Sequence, residues 1–542
     1  MFIRKKVSKR NPNTYIQLVE SFRVNGKVNQ RVVKHIGTAF NALQQEQLIS
    51  LAEELKGLYN QGVSERDIDI HLQQELSKIQ GSKSDILNCV EIKRRVLGIH
   101  EIYGKIFEEI GLHELIGGKN KYNEILCDLV MAKIAVPSSK RKAVETLAER
   151  FNIEIPLNSI YRMMDKIDES FINVLQDKVA KYNSALLEGE IKVLFYDATT
   201  LYFESFSEDE LKKLGYSKDC KFNQPQVILT LLVTEEGLPL GYQVFPGNTY
   251  EGHTLISAME YWKTKFPAVN FVLVADSGML NNINLENLEQ KQINYIVCAR
   301  IKSLPKTTKD KVLAFKDTTS ESDCYSELKF KSRRLIVSYK RSRASRDYYN
   351  REKTVKKLKD KLKKSKHPSS LISNYGYKKY ICVEANNAIS LNDSKIENNA
   401  HWDGLHGVIT NLNDSTPEEI YKKYSGLWQI EDAFRVNKSD LKIRPIFHWT
   451  PARVQAHIAI SYMAYSCYKA VQFKVNKAGL NLSHRKIKEH LLNVTGGYFE
   501  DQFSKEVFFV PSSISDEAIA IYKSMNQIPK NRSYCCTLEL KA

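Results

Sequence analysis

Val193-Leu-Phe-Tyr-Asp197 and Phe271-Val-Leu-Val-Ala-Asp276 are the stretches whose reading decides the fold. Each is an apolar run too short for a helix, closed by a carboxylate, and each reads as a buried strand. Residues 227–233, 238–245 and 295–298 are runs of the same kind, bounded by turn residues. Glu236-Gly237 joins the second and third strands as an antiparallel hairpin, and 253–266 and 284–290 read as helices between the later strands. Hairpin-linked strands followed by alternating helices and strands describe an α/β protein with a mixed sheet.

Upstream, 12–37 reads as a hairpin turning at Asn25-Gly26, the strongest short turn signal. Residues 40–60 read as a helix with Leu43, Leu48, Leu51 and Leu55 on one stripe. Gly81-Ser-Lys-Ser-Asp85 reads as a linker, and 90–185 reads as mainly helical. Within it, 143–151 and 157–167, preceded by Ser139-Lys-Arg-Lys142, have the outline of a helix-turn-helix; plain packing of two helices is the better reading. Downstream, 301–400 interrupts the sheet pattern. Strand-like pieces at 328–339 and 377–384 surround a very basic segment, 341–366, whose Tyr348, Val355, Leu358 and Leu362 share one helical face. Residues 404–411 return to strand-like sequence. The expected divisions are 1–80 (basic hairpin and helices), 86–185 (helical, DNA-binding), 186–300 and 401–470 (two parts of a core), 301–400 (basic insertion) and 471–542.

The 542 residues, 42% hydrophobic and 26% charged, are those of a folded protein of several domains. Nine cysteines, odd in number, scattered and without a C-x-x-C pair, fit reduced thiols and argue against a zinc ribbon. No apolar run reaches the ~18 residues of a membrane span, and the basic start has no apolar segment behind it. A cytoplasmic protein is expected. The net charge of +17 points to a polyanionic partner. Residues 301–370 hold 22 Lys and Arg against 8 Asp and Glu, a surplus of 14. One stretch therefore carries most of the excess, and Lys356, Lys357 and Lys363 within it are candidate phosphate contacts.

Asp197 and Asp276 would converge if their strands are neighbours, because ligands gather at the carboxyl ends of strands in such sheets. Close carboxylates repel unless a cation or proton intervenes, and an all-oxygen site suits Mg²⁺. Taken singly, either Asp could equally cap a turn. Glu431 has a more telling setting. Thr416-Pro-Glu-Glu419 has the form of a helix start, and Ile420, Tyr424, Leu427, Glu431, Phe434 and Lys438 then recur every three or four residues. Glu431 is thus expected on the buried stripe, where a lone carboxylate costs several kcal/mol. Pairing with Arg435 or Lys438 is the plain explanation, although Lys438 lies ~10 Å further along a helix. A metal ion shared with Asp197 and Asp276 is the sharper one.

Asp, Asp and Glu in this order, with Tyr424, Glu431 and Lys438 spaced as Tyr-x2-Arg-x3-Glu-x6-Lys, resemble the DDE transposases of the IS-four-like group of bacterial insertion sequences. Leu427 stands where that motif has Arg. Tyr196-Asp-Ala-Thr-Thr200, Gly237-Leu-Pro-Leu240, Phe245-Pro-Gly-Asn248, Ala275-Asp-Ser-Gly278, Trp402-Asp-Gly404 and Arg444-Pro-Ile-Phe-His448 resemble the family too. The resemblance implies a ribonuclease-H-like mixed sheet with a basic β-rich insertion, preceded by a mainly helical N-terminal region. It implies Asp197, Asp276 and Glu431 as catalytic metal ligands for two Mg²⁺ ions, with Mn²⁺ able to substitute. Tyr424, Lys438 and Arg435 would contact DNA. The implied activity is cleavage of the ends of an insertion sequence and their joining to target DNA. The implied partners are double-stranded DNA, both terminal inverted repeats and target, and a second copy of the chain on that DNA. A nucleoid-associated location follows.

Other residues have blander readings. His253, His448 and His457 read as structural or phosphate-contacting rather than metal-ligating, Trp428 reads as core, Glu204 reads as surface or a DNA-strand contact as readily as catalytic, and Cys535-Cys536 read as tail. A catalytically inactive, domesticated transposase acting as a repressor, and a structure-selective nuclease, are the rival functions. A tyrosine recombinase lacks its Arg/His/Arg constellation here.

Overall fold

The computed structural model describes residues 1–7, 14–24, 27–39, 42–79, 89–118, 120–188, 191–204, 207–215, 223–265, 271–279, 281–318, 323–364, 377, 379–383, 389–502, 505–529 and 533–536. The chain forms two units: residues 1–95 with 495–513 and 530–542, and residues 96–494 with 514–529. The second unit thus takes in almost all of the sequence regions expected at 86–470.

In the first unit, strands β1 (Phe2–Val7), β2 (Thr14–Val24) and β3 (Lys27–Ala39) make an antiparallel sheet. Val24 pairs with Lys27, the register of a two-residue hairpin. The Asn25-Gly26 turn lies outside the described residues, as do the 81–85 linker and the Leu43 side chain. Ile16 and Leu18 of β2 pack against Leu48, Leu51 and Leu55 of helix α1 (Ala42–Asn60) and Ile68 and Leu72 of α2 (Glu65–Ile79). Strand β4 (Cys89–Val96), inside the stretch expected as helical, belongs to a second sheet with Thr495–Asp501, Val507–Pro511 and Tyr534–Cys536. Cys535 and Cys536 are therefore part of a strand rather than a tail.

The second unit opens with helices α3 (Lys105–Glu109), α4 (Lys121–Ala135), α5 (Lys140–Thr146), α6 (Leu157–Met164) and α7 (Glu169–Leu186). The chain leaves α5 through a wide π turn, Leu147–Phe151, and breaks at Asn152, whose φ of 59° ends the helix. Helices α5 and α6 both pack on α4 and bury Ala143, Leu147, Ile160, Met163 and Met164.

The large sheet follows: β5 (Val193–Tyr202), β6 (Gln226–Thr234), β7 (Pro239–Pro246), β8 (Val272–Ala275), β9 (Asn294–Cys298), β10 (Cys324–Phe330), β11 (Arg333–Tyr339) and, later, β14 (Leu405–Thr410). Their order is β10-β11-β14-β9-β8-β5-β6-β7. β5, β6 and β7 are antiparallel neighbours, and β8 and β9 run parallel to β5 on its other side. That half is the ribonuclease-H-like arrangement. Leu194, Tyr196 and Ala198 of β5, Leu273 and Ala275 of β8, and Tyr295 and Val297 of β9 share one buried cluster with helices α8 (Glu251–Lys265) and α9 (Asn282–Gln290). Tyr196 is anchored there by a 2.9 Å hydrogen bond to Thr254. Strand periodicity sends the intervening residues to the opposite face.

The basic stretch 301–400 is less β-rich and less separate than expected. After helix α10 (Lys306–Thr318), β10 and β11 join the main sheet through β14. Only the remainder stands apart: the long helix α11 (Arg341–Lys364), the hairpin β12 (Ile381–Val383) and β13 (Ile389–Leu391), and α12 (Asp393–Ala400). Val355 and Leu358 form a small core with Tyr380 and Ile381, and Leu362 packs against it. Tyr348, expected on that face, is exposed; its turn is buried instead at Arg351, which grips both carboxylate oxygens of Asp403 at 2.5 and 2.6 Å. Gly404, next in the chain, has φ +81°, and a Cβ there would stand 2.6 Å from the Tyr339 ring.

The second face of the sheet carries α13 (Pro417–Ser425) on β9 and β10, α14 (Trp428–Arg435) on β5 and β6, and α15 (Pro451–Lys477) on β7. No helix among the described residues is long and apolar enough to cross a membrane.

Candidate active site on the second face of the sheet

Tyr196 and Ala275 pair across β5 and β8, and both belong to the cluster on the first face. One residue further along each chain come Asp197 and Asp276. Strand alternation turns Asp197 to the second face, and the charge of Asp276, just past the end of β8, acts on Cys298 and Tyr424 of that face. Asp197 does not close its strand, as the sequence suggested. β5 runs five residues beyond it, paired only with β6, because β8 has stopped at Ala275. Asp197 is half-buried and its Oδ1 accepts from the Ala198 amide at 2.8 Å; Asp276 is exposed.

The helix start at Thr416 is as read. Its hydroxyl accepts from the Glu419 amide, and Glu419 accepts from the Thr416 amide in return. The helix does not continue unbroken to Lys438. α13 ends at Ser425, and Gly426 lies so close to β5 that a Cβ would fall 2.5 Å from the Phe195 ring. Phe195 is two residues before Asp197 on the same face. After the break the buried stripe runs through Leu427, Ile430, Ala433 and Phe434. Glu431 falls one position off it and is exposed, so it does not occupy the buried place expected of it. Trp428, read as core, is 57% exposed for the same reason. Arg435 pairs with Asp432 at 2.5 Å and reaches Asp440 at 3.6 Å. Lys438 is half-buried in the π turn Val436–Asp440.

Tyr424 is half-buried beside Asp276. Burial first, then Cys298 and the charge of Asp276, push its hydroxyl above the usual range. It hydrogen-bonds the Cys298 thiol, which burial likewise pushes up. The thiol stands 3.4 Å from His406 Nε2, whose ring lies 5.1 Å from that of Tyr424. Burial, with Arg343 and Lys340 adding to it, pushes His406 down to about 4. Cys298, His406 and Arg343 were not legible as site neighbours. The signal available was strand parity alone, since Cys298 alternates with the buried Val297 and so faces the same way as Asp276.

Lys356, Lys357 and Lys363 are all exposed on α11. Glu204 and His253 are exposed, His448 is half-buried and His457 buried. Among the described residues no three His, Cys, Asp or Glu side chains gather as a single-ion site. A Mg²⁺ ion does not need three, because it commonly takes one or two carboxylates and completes its shell with water and substrate phosphate. Two acids, each one residue beyond the Tyr196–Ala275 pair, with a third on a helix seated on the second face, are a donor set of the right hard-oxygen chemistry.

Residues 188–467, just over half the chain, match the transposase DDE domain, and residues 3–66 match the N-terminal domain of IS1634 family transposases. No curated protein matches. Two solved structures are similar over much of the chain. One is the piggyBac transposase synaptic complex with hairpin DNA, at 10% identity, 73% of this chain, 76% of that chain and TM-score 0.38. The other is the Mos1 transposase paired-end complex with left transposon end, at 8% identity, 45% of this chain, 72% of that chain and TM-score 0.15. At those scores they carry no argument. The matched domain spans the sheet, both Asp positions and the Glu431 helix, and the chain belongs to the DDE transposases of bacterial insertion sequences.

Proposed function

We propose that this transposase cuts the ends of its element and joins them to target DNA by phosphoryl transfer at Asp197, Asp276 and Glu431, and that it belongs to the IS-four-like group. The observation that supports the reading is the Tyr196–Ala275 pairing, from which Asp197 and Asp276 each follow by one residue on the side of the sheet where the helices bearing Tyr424 and Glu431 pack. Asp197 would be shared between two Mg²⁺ ions, with Asp276 and Glu431 each completing one site and Mn²⁺ able to substitute. Such a pair supplies charge neutralisation at the scissile phosphate and a water or DNA 3′-hydroxyl that is nucleophilic at neutral pH.

The chain's own contribution is positioning. Pairing with β6 holds Asp197 in place, and Asp276 follows directly on the last paired residue of β8, so little rearrangement on binding would be needed. Exposure leaves Asp276 and Glu431 open to a duplex. Lys438 would steady a phosphate as a point charge and Tyr424 would hold the strand near Asp276. Arg435 would reach DNA only by leaving Asp432. Lys356, Lys357 and Lys363 would hold the flanking duplex on α11. Two element ends in one reaction call for two copies of the chain, and the expected location is the cytoplasm, on the nucleoid.

The test is a nicking assay with Mg²⁺ or Mn²⁺ on duplexes ending in the element's inverted repeats. Cleavage at the repeat boundary by the parent, lost in Asp197→Asn with binding kept, is the expected result. Equal behaviour of the two proteins would leave only a DNA binder, and cutting governed by DNA shape alone would mark a structure-selective nuclease.

A further inference from the structure

Buried cationic groups gather at a second place in the same unit. Lys133 of α4 and Lys140 of α5 are 4% and 5% exposed, and no carboxylate among the described residues pairs with either of them. Lys133 Nζ donates to the Lys442 carbonyl at 3.3 Å. Lys140 has no hydrogen-bond or ion-pair partner among the described residues. His457 of α15 is 7% exposed; its Nε2 donates to the Ile443 carbonyl at 2.9 Å, and its Nδ1 is buried with no partner. The His448 ring lies 5.3 Å from it. Both lysines act electrostatically on both imidazoles, so the four groups share one neighbourhood. The nearby acid Asp165 is already held by Arg453 at 2.8 and 2.9 Å.

Burial pushes the Lys140 amine down to about 8 and the Lys133 amine well below its usual value. Like charges held together in an apolar interior oppose one another unless an anion enters. An oxyanion could accept from both ammonium groups; burial and the two lysines hold the His457 imidazole well below its ordinary value, and an entering anion would raise it again, so that Nδ1 could take a proton and donate as well. Arg141 and Lys142, beside Lys140 in the chain, are exposed. Lys142 is paired with Glu145 at 2.6 Å, and Arg141 continues the positive charge outward, which fits a polyanion better than an isolated small ion.

We propose that Lys133, Lys140 and His457 form a pocket for one backbone phosphate of duplex DNA, with His448 and Arg453 at its edge. This rests on the chain's acting on DNA and not on the assignment of Asp197, Asp276 and Glu431. A backbone contact carries no sequence information, so the pocket fixes position on the duplex rather than choosing it.

The experiment compares the parent with Lys140→Met and Lys140→Arg. It measures affinity across a salt series for a duplex bearing the inverted repeat and an unrelated duplex of equal length. It also measures melting temperature in chloride and in inorganic phosphate at matched ionic strength. Lys140→Met should weaken both duplexes by the same factor and flatten the salt slope by about 0.9, the value for one phosphate. Its melting temperature in chloride should be unchanged or higher, because an unpaired buried cation has gone, and Lys140→Arg should retain binding. Unchanged affinity and slope would overturn the proposal. So would a loss of several degrees in chloride, which would make Lys140 a packing element. If phosphate stabilises the parent and not Lys140→Met while duplex binding is equal, the pocket serves a free anion and the DNA proposal fails. Nicking by Asp197→Asn is read separately, so a failed catalytic assignment leaves this result standing.

Discussion

The second unit holds opposite charges by opposite means. On the sheet, Asp197 and Asp276 sit where strand pairing puts them, one step beyond Tyr196 and Ala275. On α11, Lys356, Lys357 and Lys363 stand in solvent above a small core of Val355 and Leu358. The acids are few and placed at or just beyond paired strands, whereas the lysines are many and exposed. A register cannot shift by one residue without turning every side chain to the other face, so chemistry belongs on the sheet. A solvated helix tolerates change at any one position, which suits a contact with a repeating backbone.

The sharpest way to break this contrast is at the fixed group. Asp197→Asn should lower cleavage by ~10³-fold with duplex affinity and melting temperature kept, as a nicking assay beside a binding assay would show. A loss shared by binding would make Asp197 a structural residue. Next comes the helix that brings Glu431 to the sheet. Gly426→Ala would press a Cβ into the Phe195 ring, and a displacement of ~1 Å costs about 10²-fold in rate. Binding should change little; a normal rate would mean Gly426 does not set the position of Glu431. On the exposed helix, reversing Lys356, Lys357 and Lys363 to Glu should flatten the salt slope by about 2.7 and weaken binding by about one order of magnitude. An unchanged slope would make α11 an ordinary solvated surface.

The smallest effect concerns the sheet's far end. Arg333 of β11 donates to Glu289 of α9 at 2.6 and 3.0 Å, and that hydrogen bond holds the Glu289 carboxyl below its ordinary range against the opposing effect of burial. A depressed acid contributes stability that is complete above its unfolded value of ~4.3 and lost as pH falls through its folded value. Glu289→Gln should cost about 1–2 kcal/mol at pH 7 and less at pH 3, seen as melting curves that converge on acidification. A gap that widens in acid would reverse the sign.

The same contrast explains what could be read beforehand. The strands of the core were legible because a nearly continuous apolar run too short for a helix, such as 227–233, where every residue is buried, reads as a central strand. Thr416-Pro-Glu-Glu419 was legible because capping is local chemistry. The phase of the Glu431 helix was not, since it is reset at Gly426 by a ring 231 positions earlier, Phe195. Trp428 and Glu431 were misjudged together for that one reason. β10 and β11 were assigned to the insertion because β10, Cys-Tyr-Ser-Glu-Leu-Lys-Phe, is an edge strand with charges between its apolar residues. Nothing local shows that it extends the main sheet. Lys133 and Lys140 escaped notice because a lysine's burial is decided by the elements packed around it.

The most direct measurement is diffraction at the manganese absorption edge from the transposase bound to an inverted-repeat duplex in Mn²⁺. Two anomalous peaks about 4 Å apart, with Asp197 touching both and Asp276 and Glu431 touching one each, are the predicted result. Manganese bound elsewhere on the chain, or held at Asp197 and Asp276 with Glu431 out of reach, would contradict it.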